Sequence, residues 1–288
     1  MPLPRAHAKA IIVGEHSVLY GSGAIAVPLR GLEVEVSCSP TLFESSINTE
    51  GFCGRLRDLP KNFAGISLLT DRMLGAHCVN LHFKSSIPQG AGLGSSAASS
   101  LALARSLNAS LNLGLEEKEI MALCSEAEDA VHGKASGLDL SACASGLPVF
   151  FSKGASSPLP PLKAFLLVAY SGEPGKTKNA IEKAALAPGR EEVMENLCGA
   201  CREAKMNWGD AEKVGSAMGR AHGLLRDLGL STPRLEEIVE KCMDMGALGA
   251  KLTGSGLGGC AIALFKDGFD AKRAQRGLSD FPSWVEEV

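Results

Sequence analysis

The chain has 288 residues, long for one ordinary domain and short for three, so two domains or one bilobed unit are expected. Its 29 basic and 32 acidic residues are mixed along the sequence and leave a net charge of -3. That balance excludes the basic footprint that nucleic acid or an anionic membrane surface would require, so an anionic ligand must be held locally.

In chain order, the first third reads as strands: Lys9 to Val13, Ala24 to Val27, Leu32 to Ser37 and Val79 to Phe83 are short, apolar or alternating, and bounded by Gly, Pro and Ser. From Ser95 the period changes, and Leu101, Ala104, Leu107 and Leu111 predict a helix ending near Asn112 and Gly114. A second helix is expected from about Glu116 to Val131, acidic in its first turn as the helix dipole favours. Leu147 to Phe151 reads as a strand, and the prolines at 158, 160 and 161 mark a boundary, dividing the chain into residues 1–160 and 161–288. Beyond it come a strand from Ala164 to Tyr170 and helices from about Lys178, Glu191, Asp210 and Pro233, the last with Ser231 and Thr232 as cap residues. The run Lys251 to Gly259 leads into the apolar strand Cys260 to Phe265.

The apolar runs Ala10 to Val13, Ala164 to Ala169 and Cys260 to Phe265 fall far short of the roughly 20 residues that span a bilayer and read as buried strands. Near the amino terminus Gly14, Glu15 and His16 interrupt the first of them, so no secretory signal is read there. Nine cysteines scattered through apolar segments fit a reducing compartment, and a cytoplasmic protein is expected. Cys198 and Cys201 have zinc or redox spacing, but without a second ligand pair they read as two thiols one helical turn apart. The pattern as a whole is α+β with mostly antiparallel sheets.

Three segments carry chemistry. Pro88-Gln-Gly90-Ala-Gly92-Leu93-Gly94-Ser95-Ser96-Ala97-Ala98 is a glycine-rich turn running straight into a helix, where free N–H groups and the positive end of the dipole attract phosphate. Ser95 and Ser96 can cap that helix or place a hydroxyl on a phosphate-bound Mg²⁺. A flexible turn with small residues for close packing would account for the glycines alone. Gly175-Lys176-Thr177 resembles the end of a P-loop, but the residue five positions before Gly175 is Tyr170, so that motif fails. Neither a His-Arg-Asp loop nor an Asp-Phe-Gly triplet occurs, which removes the protein kinases.

In the segment Glu126 to Asp139, Glu128 continues the helical stripe of Ile120 and Cys124 before it, so Glu128 should face inward and Asp129 outward. An inward carboxylate needs a divalent cation, or a lysine or arginine. Asp139 follows a His-Gly and Ser-Gly turn, where it can cap a helix or act as a base. In Lys9 to Gly21, Lys9 starts a buried strand, an unusual place for an ammonium group unless it meets a carboxylate or phosphate. Glu15 and His16 at that strand's end can recognise polar groups of a substrate.

Taken together, these segments resemble the GHMP kinases. The loop Pro88 to Ala98 looks like their ATP-binding motif, Lys251 to Gly259 like their third motif, and Gly-Glu-His followed by Val-Leu-Tyr-Gly like the first motif of the mevalonate kinases within that superfamily. The resemblance implies a two-lobed α+β fold with an amino-terminal domain like ribosomal protein S5 domain 2 and a ferredoxin-like carboxy-terminal domain. ATP would sit between the lobes, held by Pro88, Gly90, Gly92, Leu93, Gly94, Ser95, Ser96 and Ala97. By the same resemblance, Asp139 would be the catalytic base with Lys9 paired to it, Ser96 and Glu128 would hold Mg²⁺, and Glu15, His16, Thr177 and Ser255 would lie near mevalonate. Phosphorylation of the C5 hydroxyl is the implied reaction, and a homodimer is expected by analogy. Ala135 stands where the family commonly has proline and Ser255 where it commonly has alanine. The rivals are the same fold acting on homoserine, a sugar or a mevalonate derivative, and a non-catalytic ligand sensor.

Overall fold

The structure, a computed structural model, describes residues 3–133 and 135–288. The chain forms two compact units, each assembled from separate stretches. One comprises the segment ending at Ala8 with Leu32–Ile87 and Gly94–Ala144; the other comprises Lys9–Gly31, Pro88–Leu93 and Ser145–Val288. Strands β1 (Arg5–Val13) and β2 (Gly23–Thr41) each begin in one unit and end in the other. The two strands expected at Ala24 and Leu32 are thus one. Pro28 lies between the part of β2 laddered to residues 149–152 and the part laddered to residues 78–85, where its missing N–H breaks neither ladder.

The first unit adds β3 (Ser46–Thr49), β4 (Phe52–Arg55), α1 (Ala64–Met73), β5 (Cys78–Ser85), α2 (Ser95–Leu111), α3 (Glu117–His132) and α4 (Leu138–Ala144). Its strands lie in the order β4-β3-β5-β2, antiparallel except for the parallel pair β3–β5. Along β5, Val79, Leu81 and Phe83 are buried while Asn80, His82 and Lys84 are exposed, the period-2 signature of a sheet with one covered face. Helices α1, α2 and α3 pack on one another. Helix α2 buries Ala97, Ala98, Leu101, Ala104 and Leu107 and stops at Asn112 in the left-handed region. Helix α3 opens with a capping box between Glu116 and Glu119.

In the second unit, β2 pairs with β6 (Val149–Ser152), which turns back into β7 (Ala155–Pro158). Pro158 therefore ends a hairpin, and the boundary expected near residue 160 falls inside this unit. The remaining elements are β8 (Phe165–Tyr170), α5 (Thr177–Leu186), α6 (Arg190–Met206), α7 (Ala211–Asp227), α8 (Pro233–Asp244), β9 (Gly249–Thr253), β10 (Cys260–Phe265), α9 (Gly268–Gly277) and β11 (Ser283–Glu287). Four antiparallel strands run β11-β8-β10-β9, which in their own sequence order is 4-1-3-2. That order and the strand–helix–strand–strand–helix–strand succession make the expected ferredoxin-like arrangement. Asp210 and Thr232 cap α7 and α8 through their side chains, and Pro233 opens α8. No helix among the described residues is long and apolar enough to cross a membrane.

Candidate active site

The glycine loop leaves the second unit at Leu93 and enters the first at Gly94, from which α2 starts. In the second unit, Gly90 is in the left-handed region, its carbonyl accepts from the Gly175 amide at 2.8 Å, and an added Cβ would meet Pro174 Cβ at 2.7 Å. A side chain there would push the loop off its support. Gly175, dismissed as part of a P-loop, is therefore the loop's anchor. Lys9 is 1% exposed and holds the same loop twice: its amide donates to Leu93 O at 3.0 Å and its ammonium to Gly92 O at 3.1 Å.

In the first unit, Gly94 sits in the left-handed region and α2 begins without a side-chain cap. Ser95 and Ser96 are half-buried in its first turn, beside buried Ala97. Ser96 donates its hydroxyl to Glu128 Oε1 at 2.6 Å, and Glu128 is only 5% exposed. The inward turn of this carboxylate, read from its helical stripe, is realised. Burial pushes its pKa up; the Ser96 hydrogen bond and nearby His132 act against that, and Asp139 adds to it. Asp139 itself is half-buried in the first turn of α4, where Ser136 Oγ, not the aspartate, accepts from the Leu138 amide. Asp129 faces out as expected, and its Oδ1 accepts from the Ala135 amide at 2.8 Å. Alanine at 135 thus supplies an N–H that proline would lack, and a hydrogen bond fixes the turn in place of a ring.

The other expected substrate residues lie in the second unit. His16 has φ 57 and brings its ring Nε2 to Ser255 O at 2.9 Å. Burial lowers its pKa, so the ring is neutral with its proton on Nε2. Ser255 Oγ donates to Thr177 Oγ1 at 3.1 Å at the start of α5. Glu15, 3% exposed, forms an ion pair with Lys251, which is fully buried in β9. Sequence reading missed this partner. It was available in the same form as the Lys9 argument: a lysine set among Ala247, Ala250 and Leu252, in a strand, needs a carboxylate.

Among the described residues no group of three or more His, Cys, Asp or Glu is arranged to hold a metal unaided. One carboxylate and one hydroxyl, both hard oxygen donors, suit a magnesium ion that takes its other ligands from water and phosphate.

Comparison with known proteins places the chain. Residues 62–147 match the GHMP kinases N terminal domain, and residues 194–283 match the GHMP kinases C terminal family. A mevalonate kinase of Aeropyrum pernix is 36% identical over 94% of this chain and 89% of its own. One of Pyrococcus horikoshii is 33% identical over 91% and 88%. Among solved structures, the mevalonate kinase of Methanococcus jannaschii superposes with a TM-score of 0.85 at 25% identity, covering 99% of this chain and 97% of that one. By these matches over most of its length, the chain belongs to the GHMP kinases and, within them, to the mevalonate kinase family.

Proposed function

We propose that the chain transfers the γ-phosphoryl group of ATP to the C5 hydroxyl of mevalonate, giving 5-phosphomevalonate and ADP. The observation that carries this reading is the Ser96–Glu128 pair. A carboxylate buried behind the first turn of a helix that follows a glycine loop serves packing poorly, and serves a phosphate-bound cation well. Identity of 33% and 36% over about nine-tenths of relatives named mevalonate kinase supports the choice of alcohol.

Phosphoryl transfer asks a protein for positioning and charge neutralisation. Backbone N–H groups of the loop and of the first turn of α2 would cradle the phosphates. Ser96 and Glu128 would hold Mg²⁺, which when bound neutralises charge on the transferring group. Asp139 would orient the accepting hydroxyl and take its proton, late if the transition state is loose, and Lys9 is the lysine that the resemblance assigns to the same chemistry. Glu15, His16, Thr177 and Ser255 would shape the site for mevalonate. The reading also assigns the chain to the cytoplasm, where both substrates are soluble.

The test is a panel of alcohols, comprising mevalonate, phosphomevalonate, homoserine and galactose, each incubated with Mg-ATP while ADP release is followed. Turnover of mevalonate well above the rest is expected. Turnover of another alcohol in its place would move the substrate, and ADP release with none would leave the sensor as the better description.

A further inference from the structure

Three tie points join the third glycine motif to the Gly14–Glu15–His16 turn and the strand before it. Lys251 and Thr253 alternate along β9 and therefore share one face of it, and Ser255 follows two residues on. Lys251 reaches the Glu15 carboxylate. The Thr253 hydroxyl accepts from the Ile11 amide at 2.8 Å and donates to the Ile11 carbonyl at 3.2 Å, so one side chain satisfies both backbone groups of that residue. The Ser255 carbonyl meets His16 Nε2 at 2.9 Å. β9 is the edge strand of its sheet, and β1 lies against it through side chains at this point instead of through a second ladder.

We infer that Lys251 and Thr253 are positioning residues for the mevalonate-binding turn, with the buried Lys251–Glu15 pair as the principal tie. The proposal rests on the reading that this turn contacts mevalonate. A buried ion pair is a poor source of stability, because desolvation of both charges offsets their attraction. It does fix geometry: neither charge can move without leaving the other uncompensated. Here the carboxylate belongs to residue 15 and the next residue is held at φ 57, a conformation that non-glycine residues rarely adopt. Removing the ammonium would free Glu15 to swing outward, and the His16 ring would lose its place beside Ser255. Such a residue acts through others and need not touch substrate.

The experiment compares the wild type with Lys251→Met, Lys251→Met/Glu15→Gln and Thr253→Val, measuring KM for mevalonate, KM for ATP and kcat. We expect the mevalonate KM to rise at least about tenfold in the Lys251 variants and several-fold in Thr253→Val, with the ATP KM within about twofold of wild type. The double variant, which buries no lone charge, should regain thermal stability without regaining the mevalonate KM. A purely structural role would lower the active fraction and leave both KM values in place. If Lys251→Met does not fold, Thr253→Val decides, since Glu15→Gln alters a residue of the mevalonate site itself. An unchanged mevalonate KM in folded variants, or two KM values that rise together, overturns the proposal. No mevalonate turnover in the wild type would instead sink the functional reading beneath it.

Discussion

Glu128→Gln should make the protein more stable and much less active, and both signs follow from where the carboxylate sits. The side chain is buried, its pKa is raised chiefly by that burial, and its Oε1 accepts from Ser96. A raised folded-state pKa means that above the ordinary value of 4.5 the ionised carboxylate costs folding stability, and the cost is relieved only as falling pH protonates the folded state first. Glutamine keeps the shape and an acceptor for Ser96 while removing the charge. The gain expected is about 1 kcal/mol, or roughly 2 °C in Tm for a chain of this size. Ser96→Ala should do the reverse, losing about 1–3 kcal/mol because the buried carboxylate loses its hydroxyl donor on Oε1. Both are read by urea unfolding at pH 7.5 without Mg²⁺ or nucleotide. In the ADP-release assay Glu128→Gln should lose at least about a hundredfold in kcat and need more Mg²⁺ for half-saturation. If Glu128→Gln were destabilised by more than about 1 kcal/mol while keeping most of its turnover, the carboxylate would be a structural anchor and the metal assignment would fail.

Asp139→Ala should lose at least roughly a hundredfold in kcat with the ATP KM within about threefold, and near-normal turnover would reject it as the base. Gly249→Ala puts a Cβ 1.9 Å from Gly215 O, where α7 crosses β9, and should cost about 3 kcal/mol or more in urea unfolding. On the same helix Gly219→Ala meets nothing within 4 Å and should gain about 0.5–1 kcal/mol. His222 is buried, its Nδ1 faces the Leu252 amide, and Glu236, Lys251 and Arg226 surround it. Burial, helped by Lys251 and Arg226 and opposed by Glu236, lowers its pKa below 6.5, so the unfolded chain binds the proton first and stability falls as pH drops through and below 6.5. Urea midpoints at pH 7.5 and 5.5 should differ less in His222→Gln than in wild type.

Helix α2 was legible because Leu101, Ala104 and Leu107 repeat at helical spacing and a glycine loop precedes them. The same arithmetic put Glu128 inside and Asp129 outside. Helix α1 was missed although Ile66, Leu69, Thr70 and Met73 carry the period, since ten residues give it little weight beside a strand-rich stretch. The strands of 46–55 and 283–287 are too short and mixed to stand out, and they exist because neighbouring strands pair with them. Pro28 and Gly31 looked like punctuation, yet β2 continues through both. The third motif was given no element of its own, whereas its start lies in the strand Gly249–Thr253. For the site, the motifs located Ser96 with Glu128 and named His16 and Ser255 for one substrate, but not the partners supplied by long-range packing: Gly175 for Gly90 and Lys251 for Glu15. A lysine in an apolar strand shows locally that it needs a carboxylate, but nothing local says that this carboxylate lies 236 positions away.

That separation also bears on how the protein is made. Residues 9–31 leave the ribosome early, yet the unit they join is completed only when Lys251, Thr253 and Glu286 arrive to meet Glu15, Ile11 and Gly31. Until then the apolar run Ala10 to Val13 has no final cover, and Glu15 has no cation to neutralise it. Contacts of such long range slow folding, and apolar surface stays open to aggregation until the last strands are made.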